Sequence, residues 1–325
     1  MIRAFTPSKE YGLRSVEDWQ TPVDDRHIVW LDIVSPTRDE LEQVRERVGF
    51  RIPDREELRI VESTSRLLAT EESLIMSFRT LPGEVDHTTS RAVICVLSDD
   101  RLVTLRRDFA IGFDYSQSRL IRPEEGPVDA HDVLYGLIDA EVNRITERLE
   151  MLGHEIDTLM SDIFFADTKS RRSNRMLREV IHTLGQLGSR AAKIEDSLIS
   201  LERLGLFLTH HMDRAAKNGE HRAVIHSLAG EVRTLGEYAR GLDGKVDILL
   251  NASLGFVGVD QNQVMKTITI VAALFLPGTL VSSIFGMNFH DMPALSWHYG
   301  FFVAVGGSLA TAGILAAIFR WLRWM

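Results

Sequence analysis

The chain has 325 residues, 45% hydrophobic and 26% charged, with a formal net charge of −9. Those proportions exclude disordered, collagenous and low-complexity classes. The acidic balance argues against a nucleic-acid partner, because neutralising phosphates needs a basic face, and small cations are what such a field attracts. The single cysteine, Cys95, excludes an internal disulfide framework and a cysteine-based zinc site.

Length alone predicts about two domains. The charge distribution places them. Of 37 basic and 46 acidic side chains, only Lys266, Arg320, Arg323 and Asp291 lie beyond residue 265, so residues 1–265 carry a net of −11. An acidic water-soluble body therefore precedes an apolar tail. The stretch Met1–Glu10 contains no apolar signal region, which predicts that the body stays in the cytosol.

Residues 1–125 read as a cytosolic mixed α/β domain. Strands are predicted at 28–31, 74–78, 92–97 and 102–105, which are rich in β-branched and aromatic residues, with a turn at Ser98–Arg101. A helix is predicted after Pro36, where Thr37 and Glu40 fit a capping box. Another is predicted near Pro53, with Asp54, Glu56 and Glu57 in its first turn. The segment Arg122–Val128, with Pro123, Gly126 and Pro127, reads as a linker. No glycine-rich phosphate loop follows any strand.

Residues 126–265 change to a helical period. Leu134, Ile138, Ile145, Leu149, Leu152, Ile156, Leu159 and Ile163 form one apolar seam. Leu177, Val180, Leu184, Leu187, Ala191, Ile194, Leu198 and Leu201 form a second, after a break near 167–172. These predict long helices packed as a coiled-coil hairpin. A third series, Leu228, Val232, Leu235, Leu242, Val246 and Leu249, runs without proline towards Lys266. Continued through the apolar run beyond, it would make one helix about 100 Å long. Glycines at 230, 236, 241, 244, 255 and 258 count against that continuity, each costing roughly 1 kcal/mol against alanine.

Residues 266–325 hold two uncharged runs, Thr267–Phe289 with 23 positions and Tyr299–Phe319 with 21. Each approaches the roughly 20 residues a helix needs to cross the hydrocarbon, so spans are predicted at about 267–287 and 299–319. Lys266 precedes the first run, Arg320 and Arg323 follow the second, and the connecting loop has neither lysine nor arginine. The positive-inside rule then puts both termini in the cytoplasm. Trp297, Trp321 and Trp324 fall at the predicted interfaces. Gly306, Gly307, Ala310 and Gly313 are small residues suited to close helix packing.

The first run ends in Gly286-Met287-Asn288, followed by His290, Asp291 and Met292-Pro293. Taken alone, glycine and asparagine there fit an ordinary helix C-terminus equally well. The same residues also fit ion chemistry. Mg²⁺ sheds its water reluctantly, and a ring of neutral amide and backbone oxygens can accept hydrogen bonds from that water without trapping the ion.

The tripeptide directly after a membrane helix, with two spans at the extreme C-terminus, resembles the CorA family of divalent-metal transporters. The resemblance also covers Asn262-Gln263-Val264-Met265-Lys266, Phe275-Leu276-Pro277-Gly278-Thr279, Trp297, Tyr299-Gly300, Pro36-Thr37 and the segment Ile52–Arg66. It implies an α+β cytosolic domain, long coiled-coil-like helices and two transmembrane helices, assembled as a homopentamer in the inner membrane. It implies a transporter and not an enzyme, with Mg²⁺ as both cargo and regulatory ion and Co²⁺, Ni²⁺ or Zn²⁺ as further cargoes. Gly286, Met287 and Asn288 would form the selectivity filter. Met265, Ile268, Leu276 and Thr279 would line the pore and gate it, with Asn288 on the same face and a kink at Pro277. His290 and Asp291 would lie in the outer loop. Intracellular Mg²⁺ would bind acids between subunits, for which Asp243 and Asp247 are candidates.

Two positions depart from the family pattern. Ala294 stands where relatives often carry an acid in the loop, and Asn251 where they often carry an aspartate before the first span. Alternatives are a zinc-transporting, ZntB-like member and, in another class, a membrane-anchored coiled-coil sensor or scaffold. His154, His182, His210, His211, His221 and His226 show no ligand spacing and read as solvent-facing helix positions. No nucleophile-elbow sequence occurs.

Overall fold

The computed structural model describes residues 1–8, 12–16, 28–53, 67–81, 91–106, 128–165, 174–287, 297–322 and 324. The chain divides into two compact units, one of Met1–Phe165 with His182–Leu249, the other of Ala166–Ile181 with Leu250–Met325.

In the first unit, seven strands form one sheet: β1 (Ile2–Ser8), β2 (Gly12–Val16), β3 (Trp30–Val34), β4 (Leu68–Ala69), β5 (Leu74–Thr80), β6 (Arg91–Leu97) and β7 (Leu102–Arg106). Their order is β2-β1-β3-β7-β6-β5-β4. All neighbours are antiparallel except β3 and β7, which run parallel with Asp32 opposite Thr104 and Val34 opposite Arg106. The predicted turn closes β6 onto β7, with Ser98 N–H donating to the Arg101 carbonyl at 2.9 Å. Periodicity missed β1, β2 and β4. The first two interrupt their apolar residues with Arg3, Thr6, Pro7 and Arg14, so only pairing reveals them, of β1 with β3 and of β2 with β1.

Strand β3 also runs further than predicted, through Asp32. Aspartate is depleted in strands, but here the ladder carries it inside. Arg106 Nε and Nη2 reach the two Asp32 carboxylate oxygens at 3.0 and 2.6 Å, and Thr104 Oγ1 donates to Oδ1 at 2.9 Å. Trp30 Nε1 donates to Thr104 Oγ1 at 3.0 Å. Asp32, Thr104 and Trp30 are wholly buried, so this is an internal, bidentate ion pair.

The opposite face of the sheet holds Leu31, Ile33, Ile75, Ile94, Val96, Val103 and Leu105 against Leu41, Val44 and Val48 of helix α1 (Arg38–Val48). The predicted capping box starts α1: Glu40 N–H donates to Thr37 Oγ1 at 3.2 Å, and Thr37 N–H to a Glu40 carboxylate oxygen at 2.8 Å. The helix expected near Pro53 and most of the expected linker lie outside the described residues.

Helices α2 (Ala130–Phe165) and α3 (Asn174–His210) carry the two predicted seams. Every named seam residue is buried except Leu159, which is half-buried. Helix α2 packs on β6 and β7. Its Glu141 accepts from the Leu81 N–H at 2.8 Å, ending β5. Burial pushes the Glu141 carboxyl up, against the pull of Arg144. Ser200 of α3 accepts from the Arg79 N–H at 2.8 Å. A short helix, α4 (Met212–Ala215), leads to α5 (Gly219–Phe285), which has 67 residues and contains Pro277.

The six glycines do not break α5. Between Gly219 and Leu249 it buries Leu228, Val232, Leu242, Val246 and Leu249, worth about 1.5–3 kcal/mol each. Four of the six glycines lie in that stretch and cost about 1 kcal/mol each, so burial prevails. Close packing even requires a glycine nearby: a Cβ on Gly153 of α2 would lie 2.7 Å from the Tyr238 hydroxyl of α5.

In the second unit, α5 continues through the first apolar run, and α6 (Gly300–Trp321) holds the second. Both helices are long and apolar enough to cross a membrane, and only 6% and 0% of their most apolar windows are buried. Among the described residues, nothing lies within 4 Å of where a Cβ on Gly306, Gly307 or Gly313 would sit. Lys266 Nζ lies 5.9 Å from the Trp324 ring, bringing the start of one apolar run level with the end of the other.

Candidate cation-conduction segment

Helix α5 carries every expected pore residue up to the filter. Met265, Ile268, Leu276 and Thr279 are exposed on it, and at about 100° per residue they fall within roughly 80° of arc. Three are apolar. Thr279 turns its hydroxyl back to the Phe275 carbonyl at 3.0 Å, so that group bonds to its own helix.

The helix stops at Phe285, two residues before the predicted end of the span. Gly286 N–H still donates to the Ser282 carbonyl at 3.0 Å, and Met287 N–H to that of Ile284 at 3.3 Å, which tightens the last turn. A Cβ on Gly286 would lie 3.2 Å from the Ser282 carbonyl oxygen, so any larger residue crowds the backbone here. Met287 is exposed. Helical rotation is described as far as Phe285, so the expectation that Asn288 shares the face of Met265 falls outside the described residues. Asn288, His290, Asp291 and Ala294 lie outside the described residues. Asp243, Asp247 and Asn251 are exposed on α5.

The reading of six histidines as solvent-facing positions also needs correction. His154, His182, His210 and His226 are exposed and His211 is half-buried, but His221 is buried and bonds to Asp132 at 2.9 Å. That pair is 89 residues apart, and helix periodicity holds no signal for it. Cys95 is wholly buried, and burial, with a smaller contribution from the Asp32 charge, pushes its thiol up. It is inert.

An acidic α/β body whose last helix runs into an uncharged stretch, followed in the chain by a second apolar helix, is the architecture of a protein with two candidate membrane spans. The sequence profile of the family described as "CorA-like Mg2+ transporter protein" matches residues 25–322. The chain belongs to that family, whose members are transporters and not enzymes.

Relatives named magnesium transport protein CorA include one from Haemophilus influenzae, 27% identical with all of both chains covered. Another, from Salmonella typhimurium, is 28% identical over 93% of this chain and 92% of its own length. The complete CorA magnesium transporter structure from Methanocaldococcus jannaschii superposes with a TM-score of 0.78 at 20% identity, covering 100% and 99% of the two chains. The ZntB cytoplasmic domain from Vibrio parahaemolyticus gives a TM-score of 0.61 at 9% identity, over 79% of this chain and 98% of its own. The last two likenesses are of fold.

Proposed function

We propose that this chain conducts hydrated divalent cations, Mg²⁺ foremost and Co²⁺ or Ni²⁺ besides, down their electrochemical gradient across the inner membrane. The observation that carries the reading is α5, one helix that leaves the acidic body, continues through the first apolar run and ends at Phe285, directly before Gly286-Met287. Two spans cannot enclose a pore, so conduction requires a ring of copies, and we take it as the ring of five that the family resemblance implies. The almost wholly uncovered apolar faces of α5 and α6 support that assembly.

In the ring, α5 lines the pore and α6 packs outside. Gly286, Met287 and Asn288 form the filter, whose neutral oxygens bind the ion's water shell and so hold it weakly enough to release it. Met265, Ile268 and Leu276 form a hydrophobic constriction that shuts by dewetting, with Thr279 above it. His290 and Asp291 stand at the outer mouth. Cytosolic Mg²⁺ closes the channel by bridging acids of neighbouring subunits, with Asp243 and Asp247 as the sites. The relatives' shared name favours magnesium over zinc, while the ZntB likeness is of fold alone.

Flux in sealed liposomes tests the reading. Mg²⁺ uptake that Co²⁺ and Ni²⁺ inhibit is expected. Uptake of Zn²⁺ in preference to Mg²⁺ would place the protein in the zinc branch, and no flux of any divalent would leave an anchored scaffold.

The orientation is tested separately. With both termini cytoplasmic, a cysteine at Ser296 labels with an impermeant maleimide on intact cells and one at Ser8 does not. The native Cys95 needs no removal, being buried and protonated. External labelling at Ser8 would overturn the topology.

A further inference from the structure

The starts of α2 and α5 meet in a cluster that the transport reading does not use. Asp129 and Asp132 cap α2 reciprocally: Asp129 Oδ1 accepts from the His131 and Asp132 N–H groups at 2.8 and 3.0 Å, and Asp132 Oδ2 from the Asp129 N–H at 2.8 Å. Capping consumes one oxygen of each carboxylate. The other two, Asp129 Oδ2 and Asp132 Oδ1, face Lys217 Nζ at 3.6 Å and His221 Nε2 at 2.9 Å. His221 is held by its own cap, its N–H donating to Asn218 Oδ1 at 2.8 Å. One donor atom from each of Asp129, Asp132 and His221 lies within 4.8 Å of the others.

Caps alone account for that much. His131 is what points to a ligand. Its side chain is 1% exposed, and its Nε2 lies 3.2 Å from the Arg214 carbonyl oxygen, which only accepts. Nε2 therefore carries the ring hydrogen of the neutral form. Nδ1 is then a bare lone pair, without a hydrogen-bond partner among the described residues, 3.8 Å from Asp129 Oδ1. The buried Nδ1 lone pair thus faces a carboxylate oxygen of the partly exposed Asp129, an arrangement that an intervening cation relieves.

We infer that Asp129, Asp132 and His221, with the buried His131 Nδ1 beside Asp129, form a binding site, within one subunit, for a divalent transition-metal ion of the Co²⁺, Ni²⁺ and Zn²⁺ class. The donor chemistry selects the class. Imidazole nitrogens suit these ions, whereas Mg²⁺ demands oxygen ligands in a near-ideal octahedron. At metal–ligand bonds of about 2.2 Å, two ligands of one ion stand at most roughly 4.4 Å apart. Small rotations of the partly exposed Asp129 and Asp132 side chains close the remaining gap. Lys217, itself partly exposed, swings away, which costs little for a surface pair. Entry at His221 Nε2 sends that nitrogen's proton to Nδ1 and gives up the long 3.3 Å bond that Nδ1 accepts from the Lys217 N–H. The site thus joins the start of α2 to the start of α5 and distinguishes transition metals from an excess of Mg²⁺.

Co²⁺ titration of the purified full-length chain in detergent, with millimolar Mg²⁺ present throughout, tests this. A saturable ligand-field absorption, shifted from that of the aqua ion by nitrogen ligation, is expected at one Co²⁺ per chain. His221→Asn should abolish it. Asp132→Asn keeps the acceptor that caps α2, so the fold survives, and should weaken binding about 10- to 100-fold. Co²⁺ should raise the melting temperature of the wild type more than that of Asp132→Asn. Asn288→Ala should leave the signal intact, which separates this site from the filter and from the fate of the transport reading. Equal absorption in the wild type and both cluster variants, or its loss to Mg²⁺ alone, would overturn the inference.

Discussion

Replacing Asn288 by alanine is expected to stop Mg²⁺ and Co²⁺ uptake into liposomes while membrane insertion and oligomer size stay unchanged. The side chain follows the end of α5, so its removal leaves the helix, its seams and the soluble body alone. What goes is a ring of carboxamide oxygens offered to the ion's water. A hydrogen bond to a charged group is worth about 1.5–3 kcal/mol, so losing even one per ion lowers occupancy roughly tenfold to a hundredfold. Asn288→Asp is the informative partner. It keeps the shape and adds a negative charge per subunit at one level, which should hold divalents too tightly for fast release. Ala294→Glu should change uptake far less, since it restores a charge that relatives often carry outside the filter. Wild-type flux through Asn288→Ala would remove the filter assignment and the mechanism built on it.

The second large effect is on stability. Arg106→Leu leaves the Asp32 carboxylate buried with Thr104 as its remaining side-chain partner of the three groups joined there. Breaking a buried pair from one side costs about 3–5 kcal/mol, a large share of the roughly 5–15 kcal/mol that holds a typical domain together. The melting temperature of the chain in detergent should fall on the order of 10 °C. Removing both charges, in Asp32→Leu with Arg106→Leu, should recover much of that loss, because no buried charge is then left alone. Trp30, which donates to Thr104 in the same network, supplies the fluorescence signal. A single variant as stable as the wild type, or a double variant no better than the single, would show that the pair is not what holds β3 to β7.

Local physics made much of this protein legible from its sequence. Two long charge-free runs meet the length that hydrocarbon imposes, and α5 and α6 occupy them. Apolar residues at helical spacing marked the faces that α2 and α3 bury, because a helix repeats its face every few residues wherever it packs. The Thr37–Glu40 cap and the Ser98–Arg101 turn are likewise contacts between residues three apart. Gly286-Met287-Asn288 acquired meaning only beside the span it ends, which is also a local relation. The tertiary structure decided the rest, wherever partners lie far apart in the chain. β1 and β2 exist as the continuation of a sheet through β3, and polar residues in them hide the alternation. Asp32 could enter a buried strand only because Arg106, 74 residues later, sits within reach of its carboxylate. The glycines of α5 were tolerated because the same stretch buries leucines and valines whose contacts outweigh them. His221 looked like a surface histidine until folding set it against Asp132, since a hydrogen bond across 89 residues leaves no periodic trace in either helix.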